Sequence, residues 1–429
     1  MKKQTPVLIV GGGLCGITTL YELVSRDIPA ILIERDGAVA QGTSYANGGV
    51  LHPSLPDPWN NPGIGRVLLA SLFDRHAPVR LHPKQIPNLA LWGLDFLRNS
   101  SPTRHQAITC ANFRLAHYST RQTDALTQFL NLTYENRAPG SLKIYRSDAE
   151  RREAIALADL LKPLGLVYED LDQATLLERE PALMHCLDPV RGALLFSDDR
   201  VGNARVFCET LAAQAEARGG RIIYQETVKH LLRENGRVVG VQLGTETLHG
   251  EVVICAGVDA PALVGPLGLT LPIRPAKGYS ITLDKGEAAA RHIMMPTHPI
   301  VDATFHIAIT PLGPKLRVLG MAEFMGHDRT IDPTRLSMLR GFFERTLPEV
   351  SKQLDWNTVE NWCGLRPMSS DGRPFIGPTP IQGLWLNCGQ GHLGWTMAVG
   401  SARILADHMT GRAPEIDARA FAYGKARQL

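Results

Sequence analysis

The sequence lacks a long apolar run, a block of basic residues and a targeting segment. A helix that crosses a bilayer needs about 20 consecutive apolar residues, and none of the apolar stretches approaches that length. The apolar run at residues 6–10 is too short for the core of a signal peptide, and it ends in glycines. The 45 Lys and Arg residues nearly balance the 42 Asp and Glu residues, which predicts no nucleic-acid partner. These absences predict a cytoplasmic protein.

Paired cysteines and metal-ligand clusters are also missing from the sequence. Its seven cysteines are scattered, odd in number and without the CxxC spacing of a zinc or redox site. This usage predicts a reducing compartment and no metal centre. Glycine, in contrast, is abundant, with 40 residues, so tight turns and close backbone approaches are expected to matter.

The N-terminal segment predicts a strand, a helix and a second strand in close succession. Residues 7–10 and 30–34 are short apolar runs, and residues 14–26 between them have helical spacing. Such a β-α-β unit opens a doubly wound parallel sheet. Antiparallel patterns fill residues 271–325, and residues 335–350 predict one helix. The order predicts an α/β (α+β) protein with two domains woven from discontinuous segments.

A glycine motif, GxGxxG, joins the first predicted strand to the first predicted helix. In this context Gly11 permits the turn, Gly13 lets a pyrophosphate approach the backbone, and Gly16 lets helix and strand pack closely. Glu34 ends the next strand, where it can accept both ribose hydroxyls of an adenosine and would repel a 2′-phosphate. The alternative is a glycine turn that binds no nucleotide. The candidate dinucleotide-binding residues here are Gly11, Gly13, Leu14, Cys15, Gly16, Glu34 and Arg35.

A second strand–glycine–helix pattern, LWLNCGQGHLGWTM, lies at residues 384–397. No acidic residue ends a later strand, so the pattern does not predict a second dinucleotide unit. A helix N-terminus stabilises negative charge, such as that on the N1–C2=O edge of a reduced flavin. The alternative is a packing turn. The candidate flavin-binding residues here are Gly391, His392, Leu393, Gly394, Trp395 and Thr396.

Three further segments complete the predicted cofactor site. The loop at residues 41–50 contains hydroxyl groups that could bind a ribityl chain or phosphate, and glycine backbone that could lie against a flat ring. The alternative is a plain surface loop. A later strand could contact the adenine, and an Ala-Gly pair could lie under the diphosphate. The candidate residues are Thr43, Ser44, Asn47, Gly48, Gly49, Val228, Ala256 and Gly257.

Arg366 stands out in the stretch GLRPMSSDGRPFIG among glycines, prolines and small residues. An always-charged guanidinium is costly to hold in such a place without an anion beside it. That anion is either another side chain, such as Asp371, or the carboxylate of a substrate. Tyr279 is predicted as a second substrate contact and His52 as a hydrogen-bonding partner of flavin or substrate, each with a structural role as the alternative. Lys277 is predicted to be a solvated strand residue, with a position facing the flavin as the alternative.

Several segments together resemble the flavin-dependent amine oxidoreductases of the D-amino-acid oxidase/glycine oxidase superfamily. The resemblance is carried by VLIVGGGLCG, TSYANGGVLHP, KGYSITL, RVLGMAEFMG, GLRPMSSDGRPFIG and LNCGQGHLGWTMAVGS. It covers essentially the whole chain, is weakest over residues 81–190, and is closest to bacterial D-amino acid dehydrogenases of the small-subunit type. It implies non-covalent FAD in a p-hydroxybenzoate-hydroxylase-like two-domain fold, with Arg366 on the substrate carboxylate.

In that fold the Rossmann-like FAD domain would comprise residues 1–80, 191–270 and 361–429. The antiparallel-sheet substrate domain would comprise residues 81–190 and 271–360.

The resemblance implies oxidative deamination of D-amino acids to 2-oxo acids and ammonia, by hydride transfer from the α carbon to flavin N5. Electrons would pass to a quinone or other respiratory carrier rather than mainly to oxygen. Two apolar segments with flanking basic residues, 66–76 and 86–98, fit either peripheral contact with the inner face of the cytoplasmic membrane or burial in the core.

Two alternatives to this function stay open. A D-proline or D-hydroxyproline dehydrogenase, or a glycine/sarcosine-type oxidase, would share the fold and differ in the amine. A flavin-binding electron-transfer subunit would hold the cofactor without turning over amino acids itself. The preferred side chain is not predicted, and the choice of D over L rests on the resemblance alone.

Overall fold

Two large sheets organise the chain in the computed structural model, which describes residues 5–72, 74, 76–286, 294–424 and 427. Within these residues the strands are β1 (Val7–Val10), β2 (Ala30–Ile33), β3 (Val50–Leu51), β4 (Val79–Leu81), β5 (Ser141–Tyr145), β6 (Glu169–Asp172), β7 (Gly192–Phe196), β8 (Arg200–Val201), β9 (Arg221–Ile223), β10 (Val228–Glu234), β11 (Arg237–Leu243), β12 (Glu246–His249), β13 (Val252–Ile254), β14 (Ile273–Asp284), β15 (Ile300–Asp302), β16 (Ile307–Leu312), β17 (Lys315–Phe324), β18 (Glu360–Ser369), β19 (Phe375–Pro378) and β20 (Leu384–Cys388).

The α-helices come from both halves of the chain. They are α1 (Leu14–Val24), α2 (Ile64–Ser71), α3 (Ile86–Arg98), α4 (Pro102–Leu130), α5 (Asp148–Leu161), α6 (Gln173–Arg179), α7 (Ala204–Glu216), α8 (Ala260–Val264), α9 (Pro333–Thr346), α10 (Pro348–Ser351) and α11 (Gly394–Met409). Over the described residues, no helix has the length and apolar content needed to cross a membrane.

The first sheet has the strand order β19-β20-β13-β1-β2-β9, and its strands from β20 to β9 are parallel. Strand β1 is buried on both faces because side chains alternate across a strand. Val7 and Ile9 pack in a core with α1, α7 and α11, whereas Leu8 and Val10 face the antiparallel sheet β10-β11-β12. The predicted α/β fold class with a doubly wound opening is confirmed.

The second sheet has the strand order β18-β14-β17-β16-β15-β5-β7-β6, with β4 beside β17, and most of its pairs are antiparallel. Strands β7 and β18 are hydrogen-bonded within this sheet. The predicted domain boundaries, in contrast, assign both strands to the FAD domain. We therefore propose that the domain division follows these hydrogen bonds and falls after residue 196 and after residue 369.

The helix predicted over residues 335–350 is wrong in one respect, because the structure has two helices there. Helix α9 ends at Thr346, and α10 begins at Pro348. Leu347 between them has φ −130° and ψ 61°. Proline disfavours the helical conformation in the residue before it and donates no backbone hydrogen bond, so the helix breaks at this position.

Candidate active site

A cavity of about 440 Å³ lies between the two sheets. On one side it is lined by residues that follow β1, β2, β13 and β20, at the carboxyl ends of the parallel strands, where ligands bind in open α/β sheets. On the other side it is lined by residues of β14 and β18. Of the sequence-predicted site residues, all line this cavity except Gly16, Gly49, Leu393 and Thr396.

The first glycine motif brings the N-terminus of α1 close to β1. A Cβ at Gly16 would lie 1.8 Å from the carbonyl oxygen of Gly11, so Gly16 acts through packing beneath the cavity. Gly11 has φ +108°, and a Cβ there would lie 2.8 Å from the carbonyl oxygen of Cys255. A Cβ at Gly13 would lie 3.3 Å from Ser44 Oγ at the cavity wall. Side chains at Gly11 and Gly13, which line the cavity, would take up space that a pyrophosphate needs.

Glu34 is buried at the end of β2 and ties the glycine loop in place. One of its carboxylate oxygens accepts a hydrogen bond from the N–H of Gly12 at 2.5 Å, and the other accepts from the N–H of Asp36 at 2.9 Å. Burial raises the pKa of Glu34, and these hydrogen bonds oppose that rise. Since a carboxylate has about four acceptor sites, two bonds leave capacity for ribose hydroxyls. Arg35 forms an ion pair with Asp259 at 2.9 Å.

The loop at residues 41–50 is bonded to helix α1 and to the second sheet. Thr43 Oγ1 donates to the carbonyl of Leu365 at 2.6 Å, whereas Ser44 Oγ accepts from the N–H of Leu14 at 3.2 Å in the first turn of α1. Side chains of the second sheet also hold three consecutive carbonyls of the loop through the bonds Ser280 to Ala46, Arg317 to Asn47 and Thr310 to Gly48. The loop is therefore a fixed wall rather than a plain surface loop.

The second glycine motif forms a further part of the cavity wall, where α11 begins at Gly394. Leu393 and Thr396 are buried behind this wall. Thr396 Oγ1 accepts a hydrogen bond from the backbone N–H of His52 at 3.1 Å, which joins the start of α11 to the loop after β3. Gly49, with φ +66°, contacts Leu312 instead of the cavity.

Arg366 carries a guanidinium with no anionic partner among the described residues. Its Nη1 donates to the carbonyl of Met321 at 2.9 Å, and its Cζ lies 5.5 Å from the ring centroid of Trp59. Burial lowers the pKa of Arg366 to about 10. Asp371, the alternative partner, is paired with Arg373 and Arg427 at 2.7 and 2.8 Å. Most of the five N–H donors of Arg366 are thus left for a ligand.

Tyr279 lines the cavity, but its hydroxyl is already bonded to protein. It donates to Glu323 at 2.5 Å, and Glu323 is paired with the fully buried Arg335 at 2.8 Å. Burial, together with the bond to Glu323, raises the pKa of Tyr279. A direct contact between this hydroxyl and a substrate would require the bond to break. The prediction that Lys277 is solvated is wrong, because it is 1% exposed and its Nζ donates to the carbonyl of Thr330 at 2.9 Å.

Three aromatic rings stack beside Arg366. The ring centroids of His52 and His392 are 6.4 Å apart, and those of His392 and Trp59 are 5.4 Å apart. Burial lowers the pKa of both histidines to about 4. The neighbouring His392 lowers the pKa of His52 further. The charge of Asp57 raises the pKa of His392, and the charge of Arg366 lowers it. His52 Nδ1 is buried without a hydrogen-bond partner in the described part of the chain. A neutral, unpartnered imidazole in the cavity wall fits a hydrogen bond to a ligand.

These histidines predict a pH dependence of stability. The folded protein keeps both rings neutral down to about pH 4, whereas the unfolded chain takes up protons near pH 6.5. The unfolded state binds more protons in between, so stability is expected to fall as the pH drops from 6.5 to 4. The thermal midpoint of the wild type should fall between pH 7 and pH 5. In the variant His392→Gln we expect this fall to be smaller by roughly 2–4 °C. The variant His230→Gln, which changes an exposed histidine, should show the same fall as the wild type. Equal slopes for all three proteins would contradict the assignment.

Sequence reasoning missed several cavity residues, which come from both sides of the cavity. They include Trp59, Gly278, Arg329, Trp362 and Gln390. Gly278 and Gln390 carried a local signal, because they lie in the KGYSITL and LNCGQGHLGWTMAVGS segments that support the resemblance. In the described chain, no group of three His, Cys, Asp or Glu residues could hold a metal ion.

The cavity and its walls fit FAD. We propose that the glycine loop and Glu34 would hold the ADP half, the loop at residues 41–50 the ribityl chain, and the start of α11 the ring. The fold and the site together define a dinucleotide-dependent oxidoreductase with a separate sheet over its cofactor cleft. The chain belongs to the family of FAD dependent oxidoreductases, whose family model matches residues 6–408. FAD is its cofactor.

Individual relatives agree with this family. A D-amino acid dehydrogenase of Cereibacter sphaeroides is 38% identical over 412 residues, which cover 96% of this chain and 93% of the relative. The structure of glycine oxidase from Geobacillus kaustophilus matches with a TM-score of 0.76 at 20% identity, over 98% of each chain. The structure of L-proline dehydrogenase from P. horikoshii matches with a TM-score of 0.77 at 15% identity, over 98% of this chain and 97% of that one. The predicted D-amino-acid oxidase-like fold is confirmed.

Proposed function

We propose that this chain oxidises D-amino acids at their α carbon and passes the electrons to a quinone or another carrier. The observation that carries the proposal is Arg366, a cavity-lining guanidinium without an anionic partner among the described residues. The relative named D-amino acid dehydrogenase supports the substrate class. The product imino acid would hydrolyse in water to a 2-oxo acid and ammonia.

Arg366 would orient the substrate through its carboxylate. A guanidinium makes two parallel charge-assisted hydrogen bonds to a carboxylate, which fix the plane as well as the position of the bound group. FAD, when bound, accepts the α hydrogen as a hydride at N5. The substrate must lose one ammonium proton first, and His52, neutral with an unpartnered Nδ1, can accept a hydrogen bond from that ammonium. Trp59 and Trp362 line this end of the cavity.

The fold alone does not distinguish D from L substrates, since an L-proline dehydrogenase has a similar fold. The D preference therefore rests on the curated relatives.

Non-covalent FAD is supported by the cavity-lining Cys15 and Cys255. Burial raises the pKa of both thiols, that of Cys15 to about 12. This disfavours the thiolate that covalent attachment would require.

Anaerobic titration of the purified, FAD-loaded protein with single D- and L-amino acids tests the proposal. A D-amino acid should bleach the flavin absorbance and its L enantiomer should not. Turnover that consumes oxygen as fast as it reduces a dye acceptor would favour the oxidase alternative. A yellow protein that no amino acid bleaches would favour the electron-transfer subunit.

Peripheral membrane contact is the second part of the proposal. Helix α3 packs its inner side on the second sheet through Trp92 and Phe96, and α2 joins the same cluster through Ile64. Their outer sides form what we call the α2–α3 surface, made of the exposed residues Arg66, Val67, Leu69, Lys84, Leu91, Leu94 and Arg98. Leu91 is 83% exposed and Leu94 is 62% exposed. Apolar side chains ringed by basic ones match the interface of an anionic bilayer. Phe73 and Arg75 of the predicted segment 66–76 lie outside the described residues.

The double variant Leu91→Gln/Leu94→Gln is expected to bind vesicles that contain phosphatidylglycerol at least 10-fold more weakly than the wild type, because each buried leucine contributes about 1.5–3 kcal/mol. Vesicle co-sedimentation measures the binding, and dye-linked activity in solution should stay the same. Phe129→Gln, at a side chain 76% exposed elsewhere on the surface, is the matched control. If the wild type itself stays in the supernatant, the membrane proposal is wrong.

A further inference from the structure

We infer that Gly278 and the strand bulge at Met321 are positioning residues, which hold the guanidinium of Arg366 in the orientation that a substrate carboxylate requires. The inference rests on the proposed function of Arg366. It concerns residues that would not touch the substrate themselves. Three features of strands β14, β17 and β18 carry it.

The first feature is the cross-strand position of Gly278. In the β14–β18 pair, Gly278 lies opposite Gly364 and Ala276 lies opposite Arg366. Arg366 and Gly364 are two residues apart and so share one face of β18. The guanidinium extends along this face over Gly278, where a built Cβ would lie 2.2 Å from Nη1 and 2.5 Å from both Cζ and Nη2. Even a methyl group at 278 would displace the guanidinium.

Space, and not backbone conformation, requires this glycine. The φ angle of Gly278 lies outside the left-handed region, so an alanine could adopt the same backbone. The three atoms nearest to the built Cβ all belong to the side chain of Arg366. A substitution at Gly278 therefore tests the position of the guanidinium with little direct effect on the sheet.

The second feature is the bulge in β17. Lys277 pairs with Glu323 and Tyr279 pairs with Gly320, so two residues of β17, Met321 and Ala322, lie opposite Gly278. Met321 has φ +64°, a left-handed conformation that is uncommon for a residue with a side chain. The carbonyl oxygen of Met321 accepts the hydrogen bond from Arg366 Nη1 at 2.9 Å. Bulges re-aim local groups next to active sites, and strained backbone is concentrated there.

The third feature is the ring of Trp59 on another side of the guanidinium, 5.5 Å from its Cζ. The bulge carbonyl, the bare backbone at Gly278 and this ring together restrict the rotamers of Arg366. A long side chain without an ion-pair partner would otherwise sample many of them. Restricting it before the substrate arrives reduces the entropy lost on binding. Arg366 is thus preorganised as a carboxylate receptor.

Gly278→Ala tests the inference directly. We expect the KM for a D-amino acid to rise 10- to 100-fold and the affinity for benzoate, a carboxylate probe read from the flavin spectrum, to fall by a similar factor. The kcat, the dissociation constant of FAD and the thermal midpoint should change much less, because the conflict is local to Arg366. Gly265→Ala, where nothing lies within 4 Å of the built Cβ, is the control and should match the wild type.

A double-mutant cycle separates positioning from a general structural effect. Lysine lacks the planar fork that lies over Gly278. In an Arg366→Lys background, adding Gly278→Ala should therefore raise KM less than threefold further. An effect as large as in the wild-type background would overturn the inference.

The bulge gives a second test in case Gly278→Ala does not fold. A β-branched side chain tolerates a positive φ poorly, whereas glycine adopts it freely. Met321→Val should therefore raise KM at least fivefold more than Met321→Gly. Equal KM values for these two variants would contradict the role of the bulge.

The same measurements distinguish this inference from the proposed function. If the wild type neither oxidises D-amino acids nor binds benzoate, the proposed function fails. If the wild type does both and Gly278→Ala behaves like it, the function stands and the positioning role is wrong.

Discussion

Replacing Arg366 by methionine is expected to lower kcat/KM for a D-amino acid by about 10²- to 10⁴-fold while FAD stays bound. Two charge-assisted hydrogen bonds to the substrate carboxylate would be lost, at roughly 1.5–3 kcal/mol each. Most of the loss should appear in KM, because the carboxylate is held before and during hydride transfer. Steady-state kinetics with a dye acceptor measure the change, and the flavin spectrum verifies that the cofactor is retained.

The fold should tolerate this change. Burial lowers the pKa of Arg366, so holding its charge is unfavourable. A methionine, which replaces the stem without the guanidinium, removes that cost at the loss of one bond to Met321. Arg274→Met is the matched control, since Arg274 lies on β14 and bonds only to backbone carbonyls. If amine turnover and half-saturation in Arg366→Met equal those of the control, the assignment of the carboxylate site fails.

Replacing Gly16 by alanine is expected to weaken FAD binding at least 10- to 100-fold, or to prevent folding. The new Cβ would lie 1.8 Å from the carbonyl oxygen of Gly11. Neither atom can rotate away, because the Cβ is fixed directly to the backbone and the oxygen belongs to it. Helix α1 would have to move off β1, which would displace the N–H groups that face the diphosphate. Overpacking of this kind costs about 1–3 kcal/mol or more. Fluorescence titration with FAD and thermal unfolding measure the two effects.

A second helical glycine provides the control. A Cβ at Gly341 in α9 would meet nothing within 4 Å. Gly341→Ala should bind FAD like the wild type and be up to about 1 kcal/mol more stable, because alanine favours a helix more than glycine does. Unchanged FAD affinity in Gly16→Ala would show that the close contact of α1 with β1 is not needed for the cofactor.

The cofactor half of the site could be predicted from sequence because its signals are short-range. The turn at Gly11, the packing of Gly16 and the carboxylate of Glu34 follow from the order strand, glycine loop, helix and strand within about 30 residues. The second glycine loop was found in the same way. These segments form their local structure largely by themselves, so their residue types and spacing are enough to predict their chemistry.

The substrate half could be predicted only in part. Arg366 was identified because a cation among small residues is conspicuous, but the sequence left its partner open. The structure removes Asp371 as that partner, since Asp371 is paired with Arg373 and Arg427. Tyr279 was identified as a cavity residue, yet its bond to Glu323 joins residues 44 positions apart and has no local signal.

By itself, the sequence determined the α/β class, the dinucleotide loop and the presence of one conspicuous cation, because each depends on neighbouring residues along the chain. Only the tertiary structure decided that Lys277 is buried, that Gly278 lies under the Arg366 guanidinium and that Met321 turns its carbonyl toward it. The reason is strand register. A shift of β14 by one residue against β17 or β18 would exchange the faces of all these side chains. Register is set by contacts between residues far apart in the sequence, from Asp284 with Lys315 to Ile273 with Ser369.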